Sequence, residues 1–459
     1  MKTLIITTLA EYQTNFWLEI AKTLRAQDFT ISFISFDDRS SDTLRGNNFT
    51  TYSLNNSDRQ RSKELTKNLD FSLKKYQIEN LHHWLTHEKV CFNLNNTEEM
   101  IEKLFSYIAL SDRCIKDNID KKPIMLQELG GFISVIACFF SSRAHNVDNY
   151  FIEPSFFKGR MFFVKNSFSS IDIEKNNTQK TNQQEVERYL NDAIEKKTIV
   201  IPKKDKHHYS NTLAKIINKH NIKRAFEKAI DKFILKKHQE FGHLGHHIRK
   251  HIIMLINEIR LKSKYAEASS LEKFIYFPLH VPGDMALTLR SPKYLDQISL
   301  VNYIARNIPH GYKLAIKEHP AMIGAIDARE IKGALDKNDQ LVIISPKENN
   351  YDIIKKCDCV ISINSKSGAE ATLLNKQVLL LGDAFYSNNP LTTYINDIKE
   401  LHNSITISIN KEKKDYQNLI TDYFQDVWSQ TYPGELYVSD KNNIDTFAKT
   451  IVSFLTRNK

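Results

Sequence analysis

Glycine and proline are scarce in this chain, at 13 and 11 of its 459 residues. Their scarcity excludes collagen-like and linker-dominated proteins. No run of about 18 apolar residues occurs, so we expect no transmembrane helix. The apolar opening, residues 2–9, is ended by Glu11 and Gln13 without a cleavage region, and we interpret it as a buried first strand rather than a signal peptide. We therefore predict a cytoplasmic protein. The length of 459 residues predicts two or three domains, and a hydrophobic fraction of 41% is enough for them to fold as globular units.

The sequence also lacks the patterns that are typical of metal sites. Its five cysteines are scattered, and their spacing matches no zinc site. Cys357 and Cys359 would point to opposite faces of a strand, so we expect free buried thiols in a reducing compartment. No Asp-x-Asp pair follows a predicted strand. His246 and His247 are adjacent but lie in a basic segment, and the histidines of such helices more commonly face solvent than bind a metal. The prediction is therefore no metal and no cofactor.

The net charge of +10 is concentrated in one segment. Residues 202–267 contain 16 Lys and Arg against 6 Asp and Glu, together with half of the 16 histidines. Such a segment suits an anionic membrane surface, an acidic polymer or a polyphosphate. It carries no aromatic-interleaved recognition motif, so we expect no nucleic-acid partner. A solvated pair of helices that only keeps the protein soluble is the alternative.

Two α/β segments flank this basic region. Residues 2–9, 14–27 and 29–36 follow one another as strand, amphipathic helix and strand, which predicts a parallel sheet. We expect a first Rossmann-like domain over residues 1–165. Strands and helices alternate again from Lys273 to Gly382, which predicts a second such domain over 271–435.

The remaining segments are expected to be helical. Residues 166–270 form a polar and basic insert, with helices predicted near 209–237 and 245–263. The second of these has an apolar stripe made of Ile248, Ile252, Leu255, Ile256 and Ile259. A last amphipathic helix, within 436–459, is expected to pack back across the interdomain region. The predicted fold class is therefore α/β, with two facing Rossmann-like domains, a basic helical insert and a cleft at the carboxyl ends of both sheets.

The strongest local signal is the segment from Ser362 to Ala371, in which a strand enters a turn of small hydroxyl residues and a helix begins. A helix N-terminus offers unpaired backbone N–H groups that suit a phosphate. Its candidate ligand contacts are Asn364, Ser365, Ser367 and Gly368. The alternative is an ordinary serine N-cap, since the spacing is not that of a P-loop.

Two further segments follow predicted strands of the second domain. Lys317-Glu318-His319-Pro320 ends one strand, and Pro320 stops it so that His319 lies at the ligand-binding edge. A histidine there can donate to a phosphate and support a leaving nucleotide. The loop after residue 277 holds His280 and Asp284 between two prolines and a glycine. A packed histidine and a turn-capping aspartate are the alternatives.

The first domain contributes Gln127-Glu128-Leu129-Gly130-Gly131, again between a strand and a helix. A carboxylate beside two glycines can approach a substrate closely and act as a general base. Without further context, a glutamate that helps to cap the helix is the more common role.

In this order, these segments resemble the bacterial capsule polysaccharide biosynthesis family, whose better-understood relatives are Kdo transferases of GT-B architecture. The resemblance covers both α/β halves and omits the basic insert. It implies a CMP-activated sugar donor, Kdo or sialic-acid-like, bound by the second domain. His319 and the turn from Ser365 to Gly368 would then hold its phosphate, and Glu370 the ribose or the base. Lys317 and Pro320 would belong to the same donor site.

The resemblance also implies a glycolipid or polysaccharide acceptor on the first domain, next to Glu128, Gly130 and Gly131. Glu128 and His319 would be the catalytic pair. Bacterial sialyltransferases share the His-Pro pattern and have an acidic-acidic-Gly motif, whose second acidic position is Leu129 here. Position 280 is His where relatives often have Gln. The resemblance further implies a site of action at the inner membrane and a capsule assembly complex as a partner.

Two other functions are compatible with the same architecture. A sugar-nucleotide epimerase would bind a uridine diphosphate sugar and need no polymer acceptor. A non-catalytic component of a capsule assembly or export complex would keep the fold without turnover.

Overall fold

The structure is a computed structural model that describes residues 2–175, 183–197, 230–412 and 414–457. Fourteen strands occur in these ranges: β1 Lys2–Thr8, β2 Phe29–Ser35, β3 Thr50–Tyr52, β4 Ile124–Glu128, β5 Asn149–Pro154, β6 Arg160–Lys165, β7 Tyr265–Ala266, β8 Phe274–Pro278, β9 Lys313–Lys317, β10 Leu341–Ile344, β11 Cys359–Ser362, β12 Gln377–Leu380, β13 Thr392–Tyr394 and β14 Tyr432–Pro433.

The α-helices of the same ranges are α1 Glu11–Arg25, α2 Asp38–Gly46, α3 Asn56–Lys67, α4 Leu69–Lys75, α5 Leu81–Phe92, α6 Thr97–Asn118, α7 Ile133–Ala144, α8 Gln183–Glu195, α9 Leu244–Leu261, α10 Met285–Thr288, α11 Gln297–Ala305, α12 Ala328–Lys337, α13 Asn350–Lys356, α14 Lys366–Leu373, α15 Leu401–Asn410, α16 Gln417–Ser429 and α17 Lys441–Arg457.

The strands form two seven-stranded sheets. The first has the order β14-β6-β5-β4-β1-β2-β3, parallel from β5 to β3, with β6 and β14 paired antiparallel at one edge. The second has the order β13-β12-β11-β8-β9-β10-β7 and is parallel throughout. The central strands β1 and β11 are buried along almost their whole length, as strands covered by helices on both faces must be. The predicted pair of Rossmann-like α/β domains is confirmed.

The C-terminal part of the chain returns to the first domain. The α16 residues Phe424 and Trp428 contact Phe157, at the edge of the first sheet. β14 then pairs with β6, and α17 packs along α1, where Phe447 lies edge-on to Phe16. The final helix therefore covers the first sheet, and the return begins before residue 436.

The basic insert is described in part. The helix predicted near 209–237 lies mostly outside the described residues, and the helix predicted at 245–263 is α9. Met254, Asn257 and Leu261 of α9 face the protein and are buried. The predicted apolar stripe lies on the opposite side, where Ile248, Ile252, Ile256 and Ile259 are 41–65% exposed. Within the described ranges, none of the helices has the length and apolarity that crossing a bilayer requires.

Candidate functional site

The carboxyl ends of both sheets line one cavity of about 540 Å³ between the domains. The first domain contributes Leu129, Glu153 and Phe156, and the second domain contributes most of the remaining wall. The structure brings together nine of the predicted site residues in this cavity: His280, Asp284, Lys317, His319, Pro320, Asn364, Ser365, Ser367 and Glu370. We call this cavity the cleft.

The N-terminus of α14 opens into the cleft. Ser365 is its N-cap, and its Oγ accepts a hydrogen bond of 3.2 Å from the backbone N–H of Ser367. The Ser362 hydroxyl accepts from the backbone N–H of Ser365 at 3.0 Å, which fixes the turn after β11. The capping interpretation is therefore correct, and the helix end still meets the cavity. The positive dipole end of the helix suits a phosphate there.

Gly368 packs against protein rather than lining the cleft. A Cβ atom at this position would lie 2.4 Å from the hydroxyl oxygen of Tyr386. That hydroxyl donates to the backbone carbonyl of Ser365 at 2.7 Å. Glycine thus lets Tyr386 brace the N-cap turn, which is a structural use of the residue.

His319 begins a short turn after β9. Its Nδ1 accepts a hydrogen bond of 3.2 Å from the backbone N–H of Ala321. The ring proton of the neutral form therefore resides on Nε2. Burial lowers the pKa of His319, against the opposing effect of Asp284 and with a further lowering by Lys317. A neutral imidazole with an Nε2–H donor at the cleft wall suits an oxyanion.

His280 supports the neighbouring turn. Its Nε2 lies 3.4 Å from the backbone nitrogen of Asn364, from which it accepts a hydrogen bond. Burial lowers the pKa of His280 to about 4, so the ring is neutral at physiological pH. The amide of Asn364 donates to the carbonyl of Ala286 at 2.6 Å. Asp284 caps α10 by accepting from the backbone N–H of Ala286 at 2.9 Å. This network couples the loop after β8 to the turn after β11.

Three buried polar side chains, those of Lys317, Asn350 and Glu370, form the floor of the cleft. Lys317 donates from Nζ to the carbonyl of Glu348 at 2.7 Å, and burial lowers its pKa to about 8. Burial raises the pKa of Glu370 to about 7, against the opposing hydrogen bond from Asn350. Asn350 Nδ2 contacts the Glu370 carboxylate and also donates to the Ser367 hydroxyl at 3.0 Å. The floor thus offers both donors and acceptors at neutral pH.

Glu128 ends β4 but is not among the cleft-lining residues, whereas the adjacent Leu129 is. Its Oε2 accepts hydrogen bonds from the Tyr437 hydroxyl at 2.6 Å and from Gln13 Nε2 at 3.0 Å. Packing explains the glycine at position 131, since a Cβ atom there would lie 2.3 Å from Cγ of His87. At Gly130 the nearest contact of such an atom would be ordinary, 3.8 Å from Val135.

Glu153, Asn350 and Arg290 are among the cleft residues that were missed from the sequence. Glu153 precedes Pro154 at the end of β5, a pattern like that of His319-Pro320, and this signal could have found it. Asn350 opens the helix that follows β10, which is a weaker signal. Arg290 follows α10 and has no sequence signal, because its position depends on a partner in the other domain.

Within the described ranges, no three His, Cys, Asp or Glu side chains lie close enough together to hold a metal ion. All five cysteines are free thiols, and four of them are buried. The fifth, Cys91, is half-buried next to the cleft loop, 3.4 Å from the carbonyl of Gly283.

Three of the solved structures that match this chain do so at low sequence identity. The Thermosulfurimonas dismutans KpsC β-Kdo 2,7 transferase is 16% identical with a TM-score of 0.32, over 80% of this chain and 94% of that one. The UDP-GlcNAc 2-epimerase of Methanocaldococcus jannaschii is 11% identical with a TM-score of 0.27, over 94% and 99%. Anabaena HepE, in complex with UDP and glucose, is 10% identical with a TM-score of 0.30, over the full length of both. All three TM-scores lie below 0.5, so these likenesses decide nothing about function.

In sequence, FixF of Sinorhizobium fredii is 28% identical over 148 residues, which are 32% of this chain and 35% of FixF. The chain thus matches about a third of the length of that curated relative. The sequence model of the capsule polysaccharide biosynthesis proteins matches residues 140–432. That range includes all of the second domain's cleft residues and well over half of the chain, and the protein accordingly belongs to the capsule polysaccharide biosynthesis family.

Proposed function

We propose that this protein is a glycosyltransferase of capsule or surface polysaccharide biosynthesis that uses a nucleotide-activated sugar. The observation that carries the proposal is the convergence of the α14 N-terminus with His319 on one wall of an interdomain cleft. The helix end presents a positive dipole and His319 an N–H donor. Both lie at the carboxyl edge of a parallel sheet, where α/β proteins bind ligands.

The donor is proposed to bind the second domain. Its phosphate would meet the positive dipole end of α14 and the Nε2–H of His319. Because that proton is fixed on Nε2, His319 can stabilise the charge that develops on a leaving nucleotide without itself ionising. The Ser365 and Ser367 hydroxyls would complete the phosphate site.

The nucleoside is proposed to lie on the polar floor, next to Glu370 and Lys317. A carboxylate bound by Asn350 can accept hydrogen bonds from ribose hydroxyls or from an exocyclic amine of the base. The family relationship favours CMP as the nucleotide, with Kdo or a sialic-acid-like sugar. The uridine diphosphate of an epimerase substrate is the competing ligand.

Glu128 is proposed to serve the acceptor side as a base or as an orienting carboxylate. Tyr437 and Gln13 donate to the same carboxylate oxygen, which fixes the side chain. The acceptor would be a glycolipid or an oligosaccharide. Chemistry without a metal ion is part of the proposal: EDTA should leave turnover intact, and rescue of a lost activity by Mg²⁺ or Mn²⁺ would contradict it.

A thermal-shift panel of CMP, UDP, GDP and their sugars tests the nucleotide, because a ligand that binds the native state raises its apparent stability. Labelled CMP- and UDP-sugars, incubated with and without acceptor, then separate transfer from epimerisation. Stabilisation by UDP-sugars alone, with turnover in the absence of acceptor, would establish the epimerase. Binding without any turnover would favour a non-catalytic component of the assembly complex.

An anionic membrane surface is the proposed second partner, through the basic residues of 202–267. Each basic residue near such a surface contributes about 1 kcal/mol, within a Debye length of about 8–10 Å. Of the side chains expected to take part, Lys203, Lys204, Lys206, Lys223 and Arg224 lie outside the described residues. Lys237 is described and pairs with Asp42 at 2.9 Å, and Lys236 precedes it. Co-sedimentation with anionic vesicles that weakens steeply with salt tests this partner, and an acidic polymer is the competing one.

A further inference from the structure

A second cavity, of about 240 Å³, lies beside the cleft on the other side of one loop. Its walls come from the end of α5, from one face of α9 and from the loops at Pro282–Gly283 and Gly324–Ala325. Val281 and Asp284 of the first loop line the cleft, while the two residues between them line this cavity. The two spaces are therefore neighbours that share a wall.

Three basic side chains of α9 line the cavity: His246, Arg249 and Lys250. Arg249 and Lys250 follow His246 by three and four residues, which places both beside it on the helix surface. Within the described ranges, neither Arg249 nor Lys250 has a carboxylate within ion-pair distance. The cluster thus carries positive charge that the described protein does not neutralise locally.

The histidine of this cluster shows the effect of its neighbours. Its Nε2 atom is buried and has no hydrogen-bond partner within the described residues. Burial lowers the pKa of His246, and the charges of Lys250 and Arg249 lower it further. Glu88 and Asp284 act on the nearby Cys91 thiol, but Glu88 is held by Lys103 and Asp284 caps α10 on the cleft side. His246 donates to the backbone carbonyl of Cys91, so Nε2 of the neutral ring is an acceptor. The donors that an incoming anion would meet are therefore those of Arg249 and Lys250.

Apolar side chains and two glycine loops form most of the remaining lining, to which Asn93 adds one amide. Val90, Ile253 and Met254 form its floor. Gly324 has a φ of +77°, and a Cβ atom there would lie 2.1 Å from the carbonyl oxygen of Met254, so the second loop lies directly on α9. A Cβ atom at Gly283 would lie 3.0 Å from Sγ of Cys91. The space fits a small anionic group attached to an uncharged body.

We infer that this cavity is a subsite for an anionic group of the acceptor, a phosphate or a carboxylate, bound by Arg249 and Lys250 beside the donor cleft. The identity of the ligand as an acceptor rests on the proposed function; the anion site itself does not. A charge fixed one loop away from the cleft positions an acceptor without contacting the donor.

Calorimetric titration of the full chain tests the site. The probes are dihexanoyl phosphatidylglycerol below its micelle concentration, tetragalacturonate and the neutral maltotetraose. The test protein is the double variant Arg249→Gln, Lys250→Gln. The control is Arg260→Gln, because Arg260 is an exposed cation of the same helix that does not line the cavity. We expect at least one anionic probe to bind wild type and the control equally, and the double variant at least tenfold more weakly, while maltotetraose does not bind. The probe that binds distinguishes a lipid phosphate from a glycan carboxylate.

Donor binding is measured in the same proteins with CMP, UDP and their sugars. The double variant should keep wild-type affinity for whichever nucleotide wild type binds. Absence of binding by both anionic probes, or equal binding by the double variant and the control, overturns the inference. Absence of nucleotide binding in wild type, with anion binding retained, removes the proposed function and leaves the anion site.

Discussion

Arg290 of the second domain holds Glu153 of the first in a two-point ion pair across the cleft. The guanidinium donates from Nη1 to Oε1 at 2.9 Å and from Nη2 to Oε2 at 2.8 Å. The Arg290 side chain is only 6% exposed, and that of Glu153 is 25% exposed. Arg290 also donates to the carbonyls of Phe168 and Ser169, so it fastens the segment after β6 as well. The pair is one of the charged contacts between the two cleft walls, since Lys366 also donates to the carbonyl of Ser155.

Replacement of Glu153 by Gln should lower the free energy of unfolding by about 3–5 kcal/mol, because it leaves a buried guanidinium without its counter-charge. Urea unfolding measures the change. The exposed pair Arg329–Asp327 provides the control, and Asp327→Asn, which keeps a side-chain oxygen to cap the helix, should cost far less. A Glu153→Gln protein as stable as wild type would show that the cleft wall needs no ion pair.

His319→Ala should weaken the use of a nucleotide-sugar donor by about 2–4 kcal/mol of transition-state stabilisation, since it removes one fixed donor to an oxyanion. The measurement is kcat/KM for the donor. His310→Ala, at an exposed histidine of the same domain, should leave kcat/KM unchanged. Normal turnover in His319→Ala would remove this residue from the site.

Glu128→Gln keeps the shape of the side chain and deletes its charge. If Glu128 is the base or orients the acceptor, the variant should lose activity and the alkaline plateau of the pH–rate profile should fall. Tyr437→Phe, which removes the 2.6 Å hydrogen bond to the same carboxylate, is the companion variant. It should change the profile without abolishing turnover. Wild-type activity of Glu128→Gln at every pH would make this glutamate structural.

Glu370 should make stability depend on pH near neutrality. Its pKa is raised to about 7 in the folded protein by burial, from an ordinary value of 4.5. Between these two values the folded state binds more protons than the unfolded state, so stability falls as pH rises from 4.5 to 7. The cost at pH 7.5 is about 3 kcal/mol.

Glu370→Gln tests this by unfolding at pH 5 and pH 7.5. The variant should gain stability relative to wild type as pH rises, because Gln carries no charge to bury. Glu348→Gln, at a glutamate whose backbone carbonyl binds Lys317, is a control that keeps this backbone contact. A difference between wild type and Glu370→Gln that does not vary with pH would contradict the raised pKa.

The sequence by itself determined the two α/β domains and much of the donor wall. Buried parallel strands are continuous apolar runs, and the polar residues that follow them must meet at one edge of the sheet. His319, Ser365 and Ser367 could therefore be placed together from local pattern alone, and the family resemblance added Lys317 and Glu370.

Tertiary structure alone decided the contacts between distant segments. Glu153 and Arg290 are 137 residues apart, and Glu128 and Tyr437 are 309 apart. Nothing in a local window encodes which pairs the packing of two domains and a returning C-terminus will bring within hydrogen-bond distance. The same reason applies to α9: its period of 3.6 residues showed that it has an apolar stripe, but only the packing of Met254 and Leu261 against the protein showed that the stripe faces outward.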